Sequence, residues 1–570
     1  MLTEISIFLM TAFMMLAPML GNAQEKTGAA PATPNIAGDW QGTLDTGVGK
    51  LHVILHVTRA ADGNLKATLD SVDQNALGIP ISSIAVTQSR LVFACDAVNG
   101  KYEGTISGDG SAIDGTWTQG KPLALVFKRR VPPSDIDGTW LGTLNAGGMK
   151  LRVAFHITNT PQGLAATLDS LDQGANGIPV SSIVHNGSQL RMEVKKIAGN
   201  FVGTVNKDLQ SIDGTWTQGG GSLPLLLRKT KASAAELAPK IRPQDPVKPY
   251  PYREEEVSYK NNSAPGVTLA ATLTLPQGPG PFPAVVLITG SGPQNRNEEV
   301  FGHRPFLVLA DYLTRHGIAV LRADDRGIGK STSDFASATT VDFATDAEAG
   351  IAYLKTRPEI NQKKIGLIGH SEGGVIAPMV AARNHDVAFI VMMAGTGVPG
   401  DEVLAEQARL IEIANGAPAE RAQKDADRER EVLHLVKQTS DTSALESELK
   451  EKLGNRMNEA QIGAVVKQFS SPWFHYFLSY DPGTALRKTT CPALVLNGEK
   501  DVQVSAAQNL PAIRKALEQA GNTHFEVDEL AGLNHLFQTA KTGSPREYSQ
   551  IDETIAPLAL KKIADWIAKQ

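Results

Sequence analysis

The sequence has little cysteine and no large excess of charge of one sign. Its two cysteines, Cys95 and Cys491, are too few for a disulfide framework in a chain of 570 residues. Both lie in apolar, strand-like runs, so we expect small buried side chains rather than reactive thiols. The formal net charge is −5. Because the sequence has neither a basic cluster nor an aromatic ladder, nothing in it indicates a nucleic-acid partner.

Patterns of metal ligands are also missing. The motif His-Glu-x-x-His does not occur, and no set of His, Asp and Glu residues has the spacing of a metal site. The segment Arg322–Ser331 is rich in glycine and charge but lacks the spacing of a phosphate-binding loop. We interpret it as a salt-bridged loop that braces a site. The sequence therefore predicts neither a metal nor a cofactor.

Long apolar runs are scarce, and the clearest one, Ile5–Leu20, stands at the amino terminus. It is too short and too near the start to predict a membrane span, so we expect no stable span. The residues Gly21-Asn22-Ala23 that follow have the small-x-small pattern of a signal-peptidase site. We expect residues 1–23 to be a cleaved signal peptide and the protein to be exported, either periplasmic or secreted. A single amino-terminal anchor helix is the alternative.

The first half of the chain contains a tandem duplication. After a linker of small residues at 24–34, four motifs recur at an offset of 99 to 100 residues, which predicts two copies of one domain at 35–130 and 135–229. The matched segments are Ile36–Leu44 and Ile136–Leu144, Ala67–Gln74 and Ala166–Gln173, Gly78–Pro80 and Gly177–Pro179, and Asp114–Gly120 and Asp213–Gly219.

Each copy is predicted to be all-β. Segments such as Leu51–Val57 and Leu151–Ile157 alternate apolar with other residues, which is the period of a half-buried strand. Neither copy contains an amphipathic segment long enough to predict a helix. Roughly eight short strands per copy are typical of a small antiparallel barrel or sandwich. These modules could contact a ligand, a glycan or the cell envelope, or they could serve only as spacers.

Two sets of recurring residues in the copies have structural interpretations. Tryptophans recur at the same place in each copy, which indicates core positions. Carboxylates near the turns could suggest calcium, but loop caps are the preferred interpretation. The tryptophans are Trp40, Trp117, Trp140 and Trp216, and the carboxylates are Asp70, Asp73, Asp169 and Asp172.

The second half of the chain has a different pattern. A Pro- and Lys-rich linker at 230–251 precedes a domain, 252–570, in which short apolar strands alternate with amphipathic helices. This alternation predicts an α/β fold: a mostly parallel sheet with helices on both faces and function at the carboxyl ends of the strands. The strand candidates are Val267–Leu275, Ala284–Ile288, Ile318–Leu321, Lys364–Ile368, Ala388–Met393, Ala493–Leu496 and His524–Val527.

A charged stretch with a helical pattern, at about 400–482, interrupts this alternation. It contains no strand-like run, so we predict a helical cap inserted between two core strands. The aromatic run Ser471–Leu478 within it could line an acyl or alcohol pocket, or it could pack the cap on the core.

The strongest chemical signal is the segment Gly369-His370-Ser371-Glu372-Gly373. It follows an apolar strand and precedes an Ala-rich helical segment, which is the context of the Gly-x-Ser-x-Gly nucleophile elbow. The turn needs Gly369 and Gly373 because side chains there would collide, and it holds a strained Ser371 at the positive end of the helix. Ser371 is therefore the predicted nucleophile, and a merely structural turn is the alternative.

A serine hydroxyl needs a base to remove its proton and an acid to hold that base. In this architecture the order along the chain is Ser, then Asp or Glu, then His. His535 lies in a Gly/Asn loop after the last strand candidate and is the predicted base. The acid should follow the strand Ala493–Leu496. We predict Asp501, with Glu499 and Asp528 as alternatives.

A tetrahedral oxyanion needs two backbone N–H donors. One should come from Glu372, the residue after the nucleophile, because its amide lies at the start of the helix. The other should come from the loop after Ala284–Ile288, where Ser291 is predicted and Gly292 is the alternative. Pro293 is excluded because it has no N–H.

With these motifs in place, residues 250–570 resemble the α/β-hydrolase superfamily, and more narrowly the EstD-type bacterial esterases related to the serine-aminopeptidase-like hydrolases. The resemblance implies a cofactor-free carboxylesterase that acts on short acyl esters, with Ser371, Asp501 and His535 as the catalytic triad. One departure is Thr289, which stands where many relatives have His. The motifs that carry the resemblance are Thr289–Gln294, Asp324–Gly329, Gly369–Gly374, Asn497–Asp501 and Gly532–His535.

Three functions are compatible with these features. The first is hydrolysis of small-molecule carboxylic esters. The second is a serine peptidase for short peptides, in which Glu298, Glu299 and Glu372 are the candidates to bind a substrate amino terminus. The third is a binding protein in which the β repeats carry the function. Because all the residue types of a catalytic serine site are present, the first two are favoured over the third.

Overall fold

The chain divides into two compact units, one containing the first β repeat with residues 156–166, the other containing residues 139–155 and 167–570. The predicted signal peptide, 1–23, and the linker, 24–34, lie outside the described residues. The computed structural model describes residues 35–46, 49–60, 62–146, 149–173, 175–218, 221–237, 241–439, 441–454 and 459–570.

The first repeat is an antiparallel β sheet with an apolar interior. Its strands are β1 (Gly38–Asp45), β2 (Lys50–Arg59), β3 (Leu65–Ser71), β4 (Ala76–Pro80), β5 (Ser83–Thr87), β6 (Arg90–Cys95), β7 (Gly100–Ile106), β8 (Ala112–Gln119) and β9 (Lys121–Arg130), with 3-10 helices at Val72–Gln74 and Asp96–Val98. The strand order is β4-β3-β2-β1-β9-β8-β7-β6-β5. The first and last strands pair, with Trp40 opposite Arg129. Trp40, Phe93 and Trp117 are buried in its core.

The second repeat has the same arrangement. Its strands are β10 (Gly138–Ala146), β11 (Met149–Thr160), β12 (Gly163–Ser170), β13 (Ala175–Pro179), β14 (Ser182–Asn186), β15 (Gln189–Val194), β16 (Gly199–Val205), β17 (Ser211–Gln218) and β18 (Gly221–Thr230), with 3-10 helices at Leu171–Gln173 and Lys195–Ile197. Their order is β13-β12-β11-β10-β18-β17-β16-β15-β14. Trp140 and Trp216 are buried. The predicted tandem all-β domains are therefore confirmed.

Each repeat is one curled sheet of nine strands rather than two packed sheets. The sequence pattern suggested roughly eight strands because β4 and β5 have five residues each and only two residues lie between them. Period-two alternation cannot separate runs that short. Of the recurring carboxylates, Asp70 accepts from the Gly78 amide at 2.7 Å and Asp169 from the Gly177 amide at 2.6 Å, as expected of loop caps.

The carboxy-terminal domain is built on an eight-stranded sheet. Its strands are β19 (Arg253–Lys260), β20 (Thr268–Leu275), β21 (Phe282–Ile288), β22 (Ala319–Ala323), β23 (Ile360–His370), β24 (Phe389–Met393), β25 (Ala493–Gly498) and β26 (Phe525–Leu530). The order is β19-β20-β22-β21-β23-β24-β25-β26. The pairs β19–β20 and β20–β22 are antiparallel, and the pairs from β22 to β26 are parallel.

The strand β19 is not among the sequence-based strand candidates. It lies at the edge of the sheet, where only β20 pairs with it. Its sequence begins Arg-Glu-Glu-Glu, because an edge strand tolerates charge at exposed positions. Because of these charges, β19 lacks the apolar pattern from which the inner strands were predicted.

Helices cover both faces of this sheet, as predicted. One apolar core packs the helices Thr340–Lys355, Glu372–Ala381 and Ala506–Gln519 against the strands, and a second core packs the helices Pro305–Arg315 and Pro557–Ile567 on the other face. The α/β-hydrolase fold is thereby confirmed. The helices are α1 (Ala234–Leu237), α2 (Pro305–Arg315), α3 (Thr340–Lys355), α4 (Glu372–Ala381), α5 (Gly400–Ala414), α6 (Ala419–Gln438), α7 (Thr442–Leu453), α8 (Glu459–Phe469), α9 (Pro472–Ser479), α10 (Gly483–Leu486), α11 (Ala506–Gln519) and α12 (Pro557–Ile567), with a 3-10 helix at Pro545–Gln550.

The predicted cap consists of the helices α5 to α9, which lie in the chain between β24 and β25. The cap has its own apolar core, which includes Leu433, Phe469 and Phe474. No helix among the described residues is long and apolar enough to cross a membrane.

The segment predicted as the second linker is held against the carboxy-terminal domain. The buried Arg242 guanidinium donates to the carbonyls of Phe301 and Ile551, at 2.9 Å each. Asp245 accepts from Arg304 at 2.6 Å. Residues 241–245 therefore have a fixed place on this domain.

Candidate active site

Ser371 stands in the sharp turn between β23 and α4. Its backbone has φ 54° and ψ −113°, a left-handed conformation that costs free energy in any residue with a side chain. A Cβ atom on Gly369 would lie 1.8 Å from the carbonyl oxygen of Gly373. A Cβ atom on Gly373 would lie 2.1 Å from the carbonyl oxygen of Ile288. Only glycine fits at these two positions, so the strained turn is built into the packing.

Asp501 and His535 meet at the carboxyl ends of neighbouring strands. Asp501 follows β25, His535 follows β26, and Asp501 Oδ2 lies 2.8 Å from His535 Nδ1. The other carboxylate oxygen accepts from the amides of Gln503 and Val504, at 2.9 and 2.8 Å. Both side chains are buried. Because Nδ1–H donates to the carboxylate, Nε2 of His535 is the nitrogen that can accept a proton.

The alternative acids have other partners. Glu499 accepts from the Gly532 amide at 2.7 Å, and Asp528 pairs with Lys562 at 2.7 Å. Asp501 is therefore the carboxylate that the fold places against His535.

A buried pair behind the nucleophile was not predicted in this role. Glu298 Oε1 lies 2.9 Å from His370 Nδ1 and also accepts from the Gly290 amide at 2.7 Å. The other ring nitrogen, Nε2 of His370, donates to the carbonyl oxygen of His535 at 3.0 Å. Glu298 was a candidate ligand for a substrate amine, but its Oε1 is bonded within the protein, to His370 and to the Gly290 amide. No local pattern reveals this pair, because its members are 72 positions apart.

The loop after β21 is held by a second buried carboxylate. Asp325 accepts from Thr289 Oγ1 and from the Gln294 amide, both at 2.8 Å. Burial raises the pKa of the Asp325 carboxyl well above its ordinary value. Of the two predicted oxyanion donors in this loop, Ser291 borders the large cavity over Ser371, whereas Gly292 borders a smaller one.

The charged segment Arg322–Ser331 makes the predicted salt bridges. Asp324 pairs with Arg296 through two contacts of 3.0 and 2.8 Å. Arg326 pairs with Asp346 at 2.7 Å, which ties the segment to α3. Such two-point pairing fixes the orientation of both partners.

Glu372 connects the nucleophile turn to the cap. Its buried Oε1 accepts from Thr340 Oγ1 at 2.7 Å and from the indole Nε1 of Trp473 at 2.8 Å. Burial raises the pKa of the Glu372 carboxyl, although both hydrogen bonds act in the opposite direction. The backbone amide of Glu372, at the first turn of α4, is the predicted oxyanion donor.

A cavity of about 300 Å³ lies over Ser371 and His535. From the cap, Trp473 and Phe477 line it, whereas Phe474 is buried in the cap core. In the aromatic run, Trp473 and Phe477 therefore line the pocket, and Phe474 serves for packing. Side chains of the second β repeat form a further part of the wall. Within the described part of the chain, no group of three or more His, Cys, Asp or Glu side chains is arranged to hold a metal ion.

Two comparisons with known proteins match the carboxy-terminal part of the chain or more than half of its length. Residues 265–528 match the family model of X-Pro dipeptidyl-peptidases (S15 family). The chain is 26% identical to Esterase EstD of Thermotoga maritima over 329 residues, which cover 57% of this chain and 70% of that protein. The predicted resemblance to EstD-type esterases is confirmed.

Solved structures with some similarity include two named esterases. An esterase of Pyrococcus furiosus matches with a TM-score of 0.35 and 13% identity, covering 56% of this chain and 91% of the other. Est1E of Butyrivibrio proteoclasticus, solved with ferulic acid, matches with a TM-score of 0.33 and 18% identity, covering 55% of this chain and 98% of the other.

Proposed function

We propose that the protein is a serine hydrolase that cleaves carboxylic esters with short acyl groups, through an acyl-Ser371 intermediate. The observation that carries the proposal is the Asp501–His535 pair beside a cavity that also contains Ser371 in a strained turn. The similarity to a protein named an esterase supports the ester as the substrate class.

In this mechanism, His535 Nε2 removes the Ser371 proton while Oγ attacks the ester carbonyl carbon. The carbonyl π electrons move to oxygen, and the amides of Glu372 and Ser291 donate to the resulting oxyanion. The C–O bond to the alcohol then breaks, and the alcohol leaves with the proton held by His535. Water repeats the sequence on the acyl-enzyme, releasing the carboxylic acid and free Ser371.

The test is hydrolysis of p-nitrophenyl esters from acetate to decanoate by the wild type and by Ser371→Ala. Activity on the short esters that is lost in the variant supports the proposal. Activity that survives in purified Ser371→Ala refutes the role of Ser371. A fluorophosphonate probe reports the nucleophile independently, because it labels an activated serine whatever the natural substrate. If neither turnover nor labelling occurs, the β repeats become the functional part of the protein.

A second candidate function is peptide hydrolysis by the same residues, favoured by the match of residues 265–528 to the X-Pro dipeptidyl-peptidase model. Of the acidic candidates for a substrate amine, Glu299 borders the cavity, and so does Glu372, whose Oε1 is hydrogen-bonded to Thr340 and Trp473. Dipeptidyl p-nitroanilides with proline next to the anilide separate the two functions. Turnover of these anilides at a higher kcat/KM than p-nitrophenyl acetate, with a raised KM in Glu299→Gln, would favour the peptidase.

We also propose that the protein is exported and that its β repeats contact the cell envelope or a glycan. The apolar run Ile5–Leu20 and the Gly21-Asn22-Ala23 motif support a cleaved signal peptide and a periplasmic or secreted enzyme. Amino-terminal sequencing of the protein from fractionated cells tests this: a mature chain that begins at Gln24 supports export, and an uncleaved chain in the cytosolic fraction refutes it. Binding of the purified protein to isolated cell envelope or to a glycan would support the proposed contact through the β repeats, and absence of binding to both would contradict it.

A further inference from the structure

The second β repeat supplies one side of the cavity over Ser371. Residues from several of its strands reach this cavity, together with one residue from each of its two 3-10 helices, and their side chains are mostly aliphatic or aromatic. They include Leu151, Val153, Leu168, Ile178, Ile197 and Trp216. The same cavity contains Ser371 and His535. The inner face of this repeat therefore contributes to the space in which the proposed chemistry takes place.

The polar groups on this side bond to one another. Ser170 Oγ donates to Gln173 Oε1 at 2.5 Å. Trp216 Nε1 donates to Gln218 Oε1 at 3.1 Å, and Gln218 Nε2 donates to the Ile197 carbonyl at 2.7 Å. Among the described residues of the repeat that line the cavity, none carries a charge. A surface of this kind binds hydrocarbon, because a charged group would lose its hydration without gaining a partner.

Three acidic residues outside the repeat also border the cavity, namely Glu299, Glu372 and Glu429, and two of them contribute little free charge. Glu372 accepts from Thr340 and Trp473. Burial, with a contribution from nearby Glu412, raises the pKa of Glu429 to about 8, so this carboxyl is mostly uncharged at neutral pH. The wall that the second β repeat contributes, which has no charged residue among those described, is thus suited to an uncharged group.

We propose that the second β repeat is part of the substrate site and selects esters whose alcohol portion is a large, uncharged hydrocarbon group. This inference rests on the proposed ester hydrolysis and adds the substrate class to it. The acyl group is short in that proposal, so the alcohol is the portion that extends to the repeat. Ile178 and Ile197 are then specificity-determining residues, contributed by a module outside the α/β domain.

The test compares ethyl acetate with octyl acetate, with acid release measured by pH-stat titration. The variants are Ile178→Asn and Ile197→Asn, at half-buried positions where a polar side chain can be accommodated. The duplication offers a matched control, Ile79→Asn, at the equivalent position of the first repeat. We expect the octyl-to-ethyl ratio of kcat/KM to fall by about tenfold in the two variants, as for lost contact with one or two CH2 groups. The ratio should be unchanged in Ile79→Asn.

An unchanged ratio in both variants, or an equal fall in Ile79→Asn, would overturn the inference. A second readout separates its failure from failure of the proposed function. Calorimetric titration with 1-octanol measures binding without turnover, and we expect Ile178→Asn to weaken it while Ile79→Asn does not. Loss of this difference overturns the inference even if esters are hydrolysed. If no ester is hydrolysed but the difference in octanol binding is present, ester hydrolysis fails and the hydrocarbon site stands.

Discussion

Glu298 Oε1 lies 2.9 Å from His370 Nδ1, and both side chains are buried. The remaining ring nitrogen of His370 faces the carbonyl oxygen of His535, which can only accept, so Nε2 carries a proton. Burial, the largest single effect, lowers the pKa of His370, but the Glu298 carboxylate, together with the His535 carbonyl and Asp501, raises the pKa above the ordinary value of 6.5. Below this raised pKa, His370 is an imidazolium that joins the Gly290 loop, through Glu298, to the loop that carries His535.

The first prediction concerns the pH dependence of this pair. A raised pKa in the folded state means that the stabilisation is fully present below about pH 6.5 and is lost as pH rises through the folded pKa. Glu298→Gln removes the cause, so the fall of Tm with rising pH should become shallower. At pH 6 we expect a loss of about 3 kcal/mol, typical of breaking a buried pair.

Thermal unfolding between pH 6 and pH 9 measures this effect. Glu299→Gln is the control, because it removes the neighbouring carboxylate and leaves the bond to His370 in place. Equal pH slopes of Tm in the wild type and Glu298→Gln would show that the pair is not ionised as described.

The second prediction uses the strain at Ser371. Both Ser371→Ala and Ser371→Gly should lower ester turnover on the order of 10^5- to 10^6-fold, because the nucleophile is absent. Only glycine adopts φ 54° and ψ −113° readily, so Ser371→Gly should be about 1 kcal/mol more stable than Ser371→Ala. Denaturation of the two variants side by side measures the difference. A higher stability of the alanine variant would mean that the turn relaxes when the hydroxyl is lost.

The third prediction separates the two acids of the loop after β25. Asp501→Asn should lower kcat by about 10^4-fold, because an amide facing Nδ1 stabilises the wrong tautomer of His535. Glu499→Gln should have a much smaller effect, since Glu499 accepts from the Gly532 amide instead. Steady-state kinetics on one ester decides between them, and a larger effect of Glu499→Gln would transfer the acid role.

The fourth prediction concerns the hydrogen bond from Trp473 of the cap to Glu372. Trp473→Phe preserves an aromatic ring against Phe477, whose centroid lies 5.1 Å away, but removes the N–H that Glu372 accepts. We expect a loss of about 2 kcal/mol, because a buried carboxyl oxygen loses one of its hydrogen-bond donors. Tyr476→Phe removes a polar atom from the same helix without touching this bond and is the control. Equal Tm values for the two variants would contradict the proposed connection.

Much of the fold was predictable because it depends on short-range patterns. The alternation of strands and helices and the helical pattern of the cap are visible in runs of fewer than about 20 residues, and the duplication is visible as short motifs that recur at a fixed offset. The glycines at 369 and 373 predict the turn, because a Cβ atom at either position would collide with the backbone. The charged edge strand β19 was missed because its pattern lacks the apolar period.

The sequence by itself determined the elements and the residue types at the ends of the strands, since backbone sterics and apolar periodicity are local properties. Only the tertiary structure decided which of these residues meet. Glu499 and Asp501 are two positions apart, yet packing places Asp501 alone against His535. Glu298 and His370 come together from distant segments because the interior leaves each buried polar group little choice of partner. The same is true of the second β repeat, whose apolar inner face is visible in the sequence but whose place beside Ser371 depends on long-range packing.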